Sequence, residues 1–496
     1  MLKRELGALG VLLVVLLILI PPDGMLSDNE ENYFALAAKL VGLMPDTPYS
    51  AVFDASRHRV LADFLLGHVI ALTGFETAQI ALRLLVCLLF ALVLRAVFRL
   101  FSLQALDGLL VLVGFAALGQ TLIGGEWLFN GVEAKVAAYL AVLAGLYWMM
   151  TRREVWLGTL MLALATWFHF LVGGFWFLSV LFLRLLGGRD EWKPVLRSIG
   201  VYAVTTAPLF VLILADRWRG LRVSGTSDIP SPDIIYSFIR APHHLAPFLN
   251  ANYFLTLWLP GFLLAGAMLA AAFFMAHASE DPRFRRTSLW GALLLGYLFL
   301  AVGLSFLDRD TGFWGKFYLF RPASLILLLW IVILLAFLNE LRIRTFTAIK
   351  VLAVLFIAPS LLLHAGSELK REIDFHATYD REKHALAEFL AENSGPDAVI
   401  LIDPALESSF IDFERITHRP SLVMWKFDPT NDHDLGEWYR RQQFRESLFT
   451  QGCAGDLAYP VDFLLTTTSA KPGPAVYASA HLRLLRLPQN CHRSNP

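Results

Sequence analysis

A chain of 496 residues that is 56% hydrophobic and only 17% charged, with a mean hydropathy of +0.56, reads as a multi-span membrane protein rather than a water-soluble globule. Its 42 basic and 42 acidic residues balance to a formal net charge of +0, so no bulk basic field draws in nucleic acid. Nucleotide-binding glycine motifs, CxxC pairs and Ser-His-Asp spacing are absent, which argues against a nucleotide-sugar donor handled in the cytoplasm.

The chain opens with Lys3-Arg4 followed by the apolar run Leu6 to Ile20. It resembles a signal sequence but lacks a small-x-small cleavage pattern and stops at Pro21-Pro22-Asp23. It is therefore expected to be an uncleaved first helix that starts in the cytoplasm. A spanning helix needs roughly 20 apolar residues. About eleven segments qualify: 5–21, 77–101, 106–123, 133–150, 155–170, 174–188, 195–214, 251–275, 287–306, 317–338 and 346–364. Val60 to Leu72 is left out, because it is short, follows Arg57-His58-Arg59 and contains Asp63 and His68. It fits an amphipathic helix in the outer interface.

Charge supports that count. The turns placed inside carry Lys3/Arg4, Arg95/Arg99, Arg152/Arg153, Arg184/Arg189/Lys193/Arg197, Arg283/Arg285/Arg286 and Arg342/Arg344/Lys350, as the positive-inside rule requires. Arg217, Arg219, Arg222 and Arg240 in a long outer loop are the exception. The same topology places loops 22–76 and 215–250, and the tail from about 365, outside the cytoplasmic membrane. The expected architecture is an α-helical polytopic membrane domain over 1–364 and a soluble α/β domain over 365–496. In that tail, helices are predicted at Tyr379 to Glu392 and Leu435 to Phe444, and strands at Ala398 to Ile402, Ser421 to Trp425, Val461 to Thr466 and Leu482 to Leu487. Cys453 and Cys491 also lie there, where a disulfide and two separate thiols are both compatible with an extracytoplasmic site.

Chemistry is expected first in Pro21 to Leu36, with Asp23, Asp28, Glu30 and Glu31 just past the first span. A carboxylate held at a membrane surface is costly and usually has a task or a partner. Asp28, Glu30 and Glu31 are the candidate catalytic acids, with Asp28 favoured as a base taking a proton from an acceptor hydroxyl. The plainer alternative is that they cap a helix over 28–41, since Ser27 and Glu30 form an S-x-x-E box.

The next outer turn, Gly124 to Lys135, carries Glu126, Glu133 and Lys135 among helix-breaking glycines. Asp28 and Glu126 could share a divalent cation such as Mg or Mn. Glu133 with Lys135 could equally be a plain ion pair beside the interfacial Trp127. His169 sits near the outer end of a span, as a helix-contact residue or a ligand. His243 and His244 lie between prolines and suit phosphate binding or proton transfer. Lys316 and Arg321 stand at the outer mouth of a span, where they hold either a donor phosphate or a lipid headgroup.

The order of a first span, an acidic outer loop, two juxtamembrane helices and a second span ending in arginines resembles the GT-C superfamily of glycosyltransferases. The stretch Arg59 to Phe64, Thr73 to Ala78 and Ala81 to Leu85 is similar to the loop-to-span junction of its lipid A aminoarabinose-transferase and mannosyltransferase-like branches. The resemblance covers mainly residues 1–190. It implies a polyprenyl-phosphate-linked sugar donor, a glycan or lipid acceptor, Asp28 as the first-loop base, and a second acid at Glu126 or Glu133. The motifs Phe413 to Pro420, Trp425-Lys426 and Glu437 to Arg441 look like a bacterial multi-span membrane-protein family, with no reaction implied. Transport of a lipid-linked glycan, or a scaffold in envelope assembly, are the competing expectations.

Overall fold

The structure is a computed structural model describing residues 2–53, 57–151, 155–221, 228–341, 345–451, 455–468, 475–487 and 491–493. Arg152, Arg153, Arg222, Arg342, Arg344 and Cys453 lie outside the described residues, as do the side chains of Arg57, Arg217, Arg219 and Cys491. The chain is mostly helical and divides into two compact units. One comprises Met1–Gly24, Gln79–Leu214 and Asp233–Gly366, and the other Met25–Ala78, Ala215–Pro232 and Ser367–Pro496.

Long apolar runs become helices because only a helix satisfies every backbone N–H and C=O within its own segment when no water is present. Among the described residues seven helices are long and apolar enough to cross a membrane: Phe75–Leu100, Ala134–Thr151, Arg189–Ala215, Ala251–Ala278, Pro282–Leu307, Ala323–Glu340 and Phe346–Ser367. The other predicted spans are helices as well. Leu2–Leu19 carries Lys3, Arg4 and Glu5 in its first turn. Ala105–Ala117, Trp156–Phe168 and Phe170–Leu185 have only 13, 13 and 16 residues.

The first unit is packed on aromatic side chains. Trp176 and Trp290 are both 1% exposed, and the Trp290 indole N–H donates to the Ser179 carbonyl at 2.9 Å. Phe177 stacks on Tyr202 with ring centroids 3.6 Å apart.

In the second unit the strands β1 (Ile400–Ile402), β3 (Phe463–Thr467), β4 (Ala475–Ala478) and β5 (Leu482–Arg486) form one sheet in the order β1-β3-β5-β4. In this sheet β1 and β3 run parallel, and β5 is antiparallel to both β3 and β4. Strands β2 (Gly455–Leu457) and β6 (Cys491–Arg493) form a separate parallel pair. The first-loop helices Asp28–Leu40 and Val60–Thr73 belong to this unit. Its core joins Leu36, Met44, Ala51 and Val52 to Leu386, Leu390, Ile400, Ile402, Phe410 and Phe413.

One tail expectation needs correction. Ser421 to Trp425 is not a strand and makes a single bridge, Ile400 to Ser421. Carboxylates take the backbone donors at its two ends: the Ser421 N–H donates to Glu414 at 2.8 Å, and that of Trp425 to Glu407, while the Leu422 N–H donates to the Ile400 carbonyl at 3.0 Å. The predicted span 346–364 and helix 379–392 are both helical, and they run on without a break as one helix, Phe346–Asn393. The end of an apolar run ends a span, but Ser367-Glu368-Leu369-Lys370-Arg371-Glu372 is made of residues that carry a helix onward.

Candidate functional site

In the first unit the loop before Ala134–Thr151 turns through three left-handed glycines, Gly124 (φ 77), Gly125 (φ 60) and Gly131 (φ 93). Gly124 is required for space as well as conformation, since a Cβ there would stand 2.9 Å from the Phe320 Cβ. The turn carries Glu126 inward, to 3% exposure.

Lys135 lies at the start of the following helix. Its Nζ is 3.0 Å from Glu126 Oε2 and 3.2 Å from Glu133 Oε2. Arg321 approaches from the other side, with Nε and one terminal nitrogen each 3.1 Å from Glu126 Oε1. The other terminal nitrogen of Arg321 donates to His169 Nε2 at 2.7 Å. Tyr139 donates to the Arg321 carbonyl at 2.8 Å, and the guanidinium lies 3.7 Å from the centre of the Tyr318 ring. Burial alone would raise the Glu126 carboxyl, but Arg321, Lys135 and His244 more than offset it and hold it well below the usual carboxylate range.

Arg321 also lines a cavity of about 400 Å³ with Tyr139, Phe170, Phe175, Tyr297, Phe317 and Tyr318. A largely aromatic hollow with one guanidinium on its wall suits a molecule with an apolar body and an anionic head.

The other predicted residues of this unit are placed as follows. His244 Nδ1 bonds the Gly124 carbonyl, and its ring lies 3.9 Å from that of His243. Burial, with His243 adding to it, pushes His244 down to about 4 against the pull of Glu126, so it is neutral at pH 7. Lys316 pairs with Asp233. Asp23 is bound by Arg83 and Gln79, each at 2.9 Å.

In the second unit the helix-capping alternative holds for Glu30. Ser27 accepts from the Glu30 N–H, and the Glu30 carboxylate takes the Ser27 N–H at 3.1 Å. Glu31 is 1% exposed and receives Arg415 at 2.8 and 3.0 Å. Asp412 stands beside Arg415 and is held by Lys383, at 2.9 Å to each oxygen. Asp28 is the exposed member of this group. Partial desolvation raises its carboxyl above the ordinary value, Lys426 and Lys383 pull it down, and Asp412 adds to the rise.

Among the described residues no three His, Cys, Asp or Glu side chains group closely enough to hold a metal ion. Both Glu126 oxygens are already met by cations. The sequence reading missed Tyr139, Tyr318, Lys383, Asp412 and Arg415. Tyr139 could have been found, because it follows Lys135 by one helical turn and so shares its face. Arg415 is 384 residues from Glu31 and Lys383 is 29 from Asp412, so neither of these pairings left a local signal.

Residues 381–443 match the model of a family described as a domain of unknown function (DUF6798). No curated protein matches the chain. The chain is similar to ArnT from Cupriavidus metallidurans in the apo state, with 12% identity, 97% of each chain covered and a TM-score of 0.42. It is also similar to the same protein bound to undecaprenyl phosphate, with 13% identity, 98% of each chain covered and a TM-score of 0.43.

Proposed function

We propose that this chain is an integral-membrane glycosyltransferase of the GT-C type, moving a sugar from a polyprenyl-phosphate donor to a hydroxyl of a glycan or lipid on the outer face of the cytoplasmic membrane. One observation carries the reading: Arg321 lies at once on the wall of an aromatic cavity and inside the Glu126–Lys135 ion cluster.

In this reading the isoprenoid chain lies among Phe170, Phe175, Tyr297 and Phe317, and the phosphate meets Arg321. The bond that breaks joins the anomeric carbon to a phosphate oxygen. The electron pair stays on that oxygen, where a guanidinium fixed in advance stabilises the growing charge. The bond that forms joins the anomeric carbon to the acceptor oxygen, whose proton goes to a carboxylate. Asp28 is the proposed base. Glu30 is committed to a helix cap and Glu31 to Arg415, whereas Asp28 is exposed and its raised carboxyl is a better proton acceptor than an ordinary one.

The test is sugar transfer from a polyprenyl-phosphate donor by full-length protein in membranes. Asp28→Asn should lower the rate by about a hundredfold or more at unchanged protein level and donor binding. Undiminished transfer removes Asp28 from the mechanism.

A further inference from the structure

The Arg321 guanidinium meets Glu126 in an unusual register. Its Nε and one terminal nitrogen form the edge that ordinarily grips two oxygens of a carboxylate or phosphate, one donor to each. Here both donors converge on the single atom Glu126 Oε1, each at 3.1 Å. The other Glu126 oxygen is taken separately by Lys135 at 3.0 Å, and Lys135 has a second partner in Glu133 at 3.2 Å. The guanidinium itself is fixed by Tyr318 against its face and by its bond to His169.

The cluster therefore holds two cations and two carboxylates. It has no net positive charge for an anion, although Arg321 faces the cavity. We propose that Glu126 Oε1 is an exchangeable internal ligand standing where an oxygen of a lipid phosphate binds, so that Glu126 sets the affinity and release of the lipid-linked donor. This rests on the donor assignment above and deepens it.

The exchange is local. An incoming phosphodiester offers two non-ester oxygens, one for each Arg321 donor, and displaces only the Oε1 arm. The Lys135 contacts to Oε2 and to Glu133 remain, so the loop stays anchored while the fork changes partner. One negative charge replaces another on Arg321, so binding is reversible and the spent lipid phosphate is released as Glu126 returns. Without that competitor the lipid phosphate would be held too well.

The experiment measures binding of polyprenyl phosphate, polyprenol and inorganic phosphate to full-length protein, comparing wild type with Glu126→Gln, Glu126→Asp and Arg321→Gln. Glu126→Gln removes the competing charge and should bind polyprenyl phosphate about tenfold more tightly or better, with polyprenol unchanged. Glu126→Asp keeps the charge but shortens its reach to Arg321, so it should fall between wild type and Glu126→Gln. It also supplies the answer if Glu126→Gln does not fold. Arg321→Gln should lose the preference for phosphate over alcohol. Equal or weaker binding in both Glu126 variants overturns the exchange. An equal gain for inorganic phosphate overturns it too, because the anion would then reach Arg321 without its lipid. Wild type that prefers polyprenol, or shows no preference, contradicts the donor assignment itself, which is a different outcome.

Discussion

His244 shows how burial decides which charges an ion cluster contains. Its ring is near Glu126, yet desolvation and the neighbouring His243 hold it down at about 4, so the positive charge of the cluster is that of Lys135 and Arg321. The consequence for stability has a definite sign. The folded protein binds the His244 proton only below about 4, while the unfolded chain binds it below roughly 6.5. The contribution is therefore complete above the unfolded value and is lost as pH falls through that window. The thermal unfolding midpoint of wild type should drop further between pH 7 and pH 4.5 than that of His244→Asn. The difference corresponds to on the order of 1–2 kcal/mol, allowing for the partial exposure of the ring. Equal drops in the two proteins would contradict the assignment. The types of residue in this cluster were legible in the sequence: Glu126, Glu133, Lys135, His169, His244 and Arg321 all stood out as polar groups in apolar surroundings. Their pairing was not legible, since Arg321 is 195 residues from Glu126 and 152 from His169.

At the scale of elements, the two first-loop helices are matched by a missing side chain. A Cβ at Gly67 would lie 2.5 Å from the Ala37 carbonyl oxygen, so Val60–Thr73 can approach Asp28–Leu40 only where that glycine stands. Gly67→Ala should cost about 1–3 kcal/mol by overpacking and speed hydrogen exchange in 34–40. Gly7→Ala, with nothing within 4 Å of its Cβ, is the control and should change neither. If the exchange of 34–40 is unaltered by Gly67→Ala, the helices do not depend on this contact. Both helices were readable beforehand, one from its Ser27 to Glu30 capping box and the other from its short apolar run. That they pack on each other was not, because a close approach at glycine has no hydrophobic pattern. The tail shows the reverse failure. Ser421 to Trp425 is apolar enough to suggest a strand, but Glu414 and Glu407 take the backbone N–H groups at its two ends. Strand β4 was missed because it has only four residues, Ala475-Val476-Tyr477-Ala478, all of them apolar, so its alternation of burial leaves no polar-apolar pattern in the sequence.

For the whole molecule, the membrane character came from composition, and the positions of the helices from the spacing of apolar runs. What the sequence concealed is that the first loop and the tail make up one compact unit. Glu414 accepts from the Ser50 hydroxyl at 2.6 Å and from the Ala51 N–H at 2.8 Å. Arg441 reaches the carbonyls of Pro48 and Ser50. These bonds join residues more than 360 positions apart, so neither segment announces its partner. Glu414, Arg415 and Arg441 all fall within 381–443, the segment matched by the family model. The function proposed for the whole chain makes one demand on the cell: a lipid-linked sugar must be consumed. The most direct measurement is mass spectrometry of polyprenyl-phosphate-linked sugars in cells with and without this protein. The account predicts that one such species accumulates in its absence, and that it is cleared by the wild-type chain but not by Asp28→Asn. An unchanged lipid-linked pool in cells lacking the protein would contradict it.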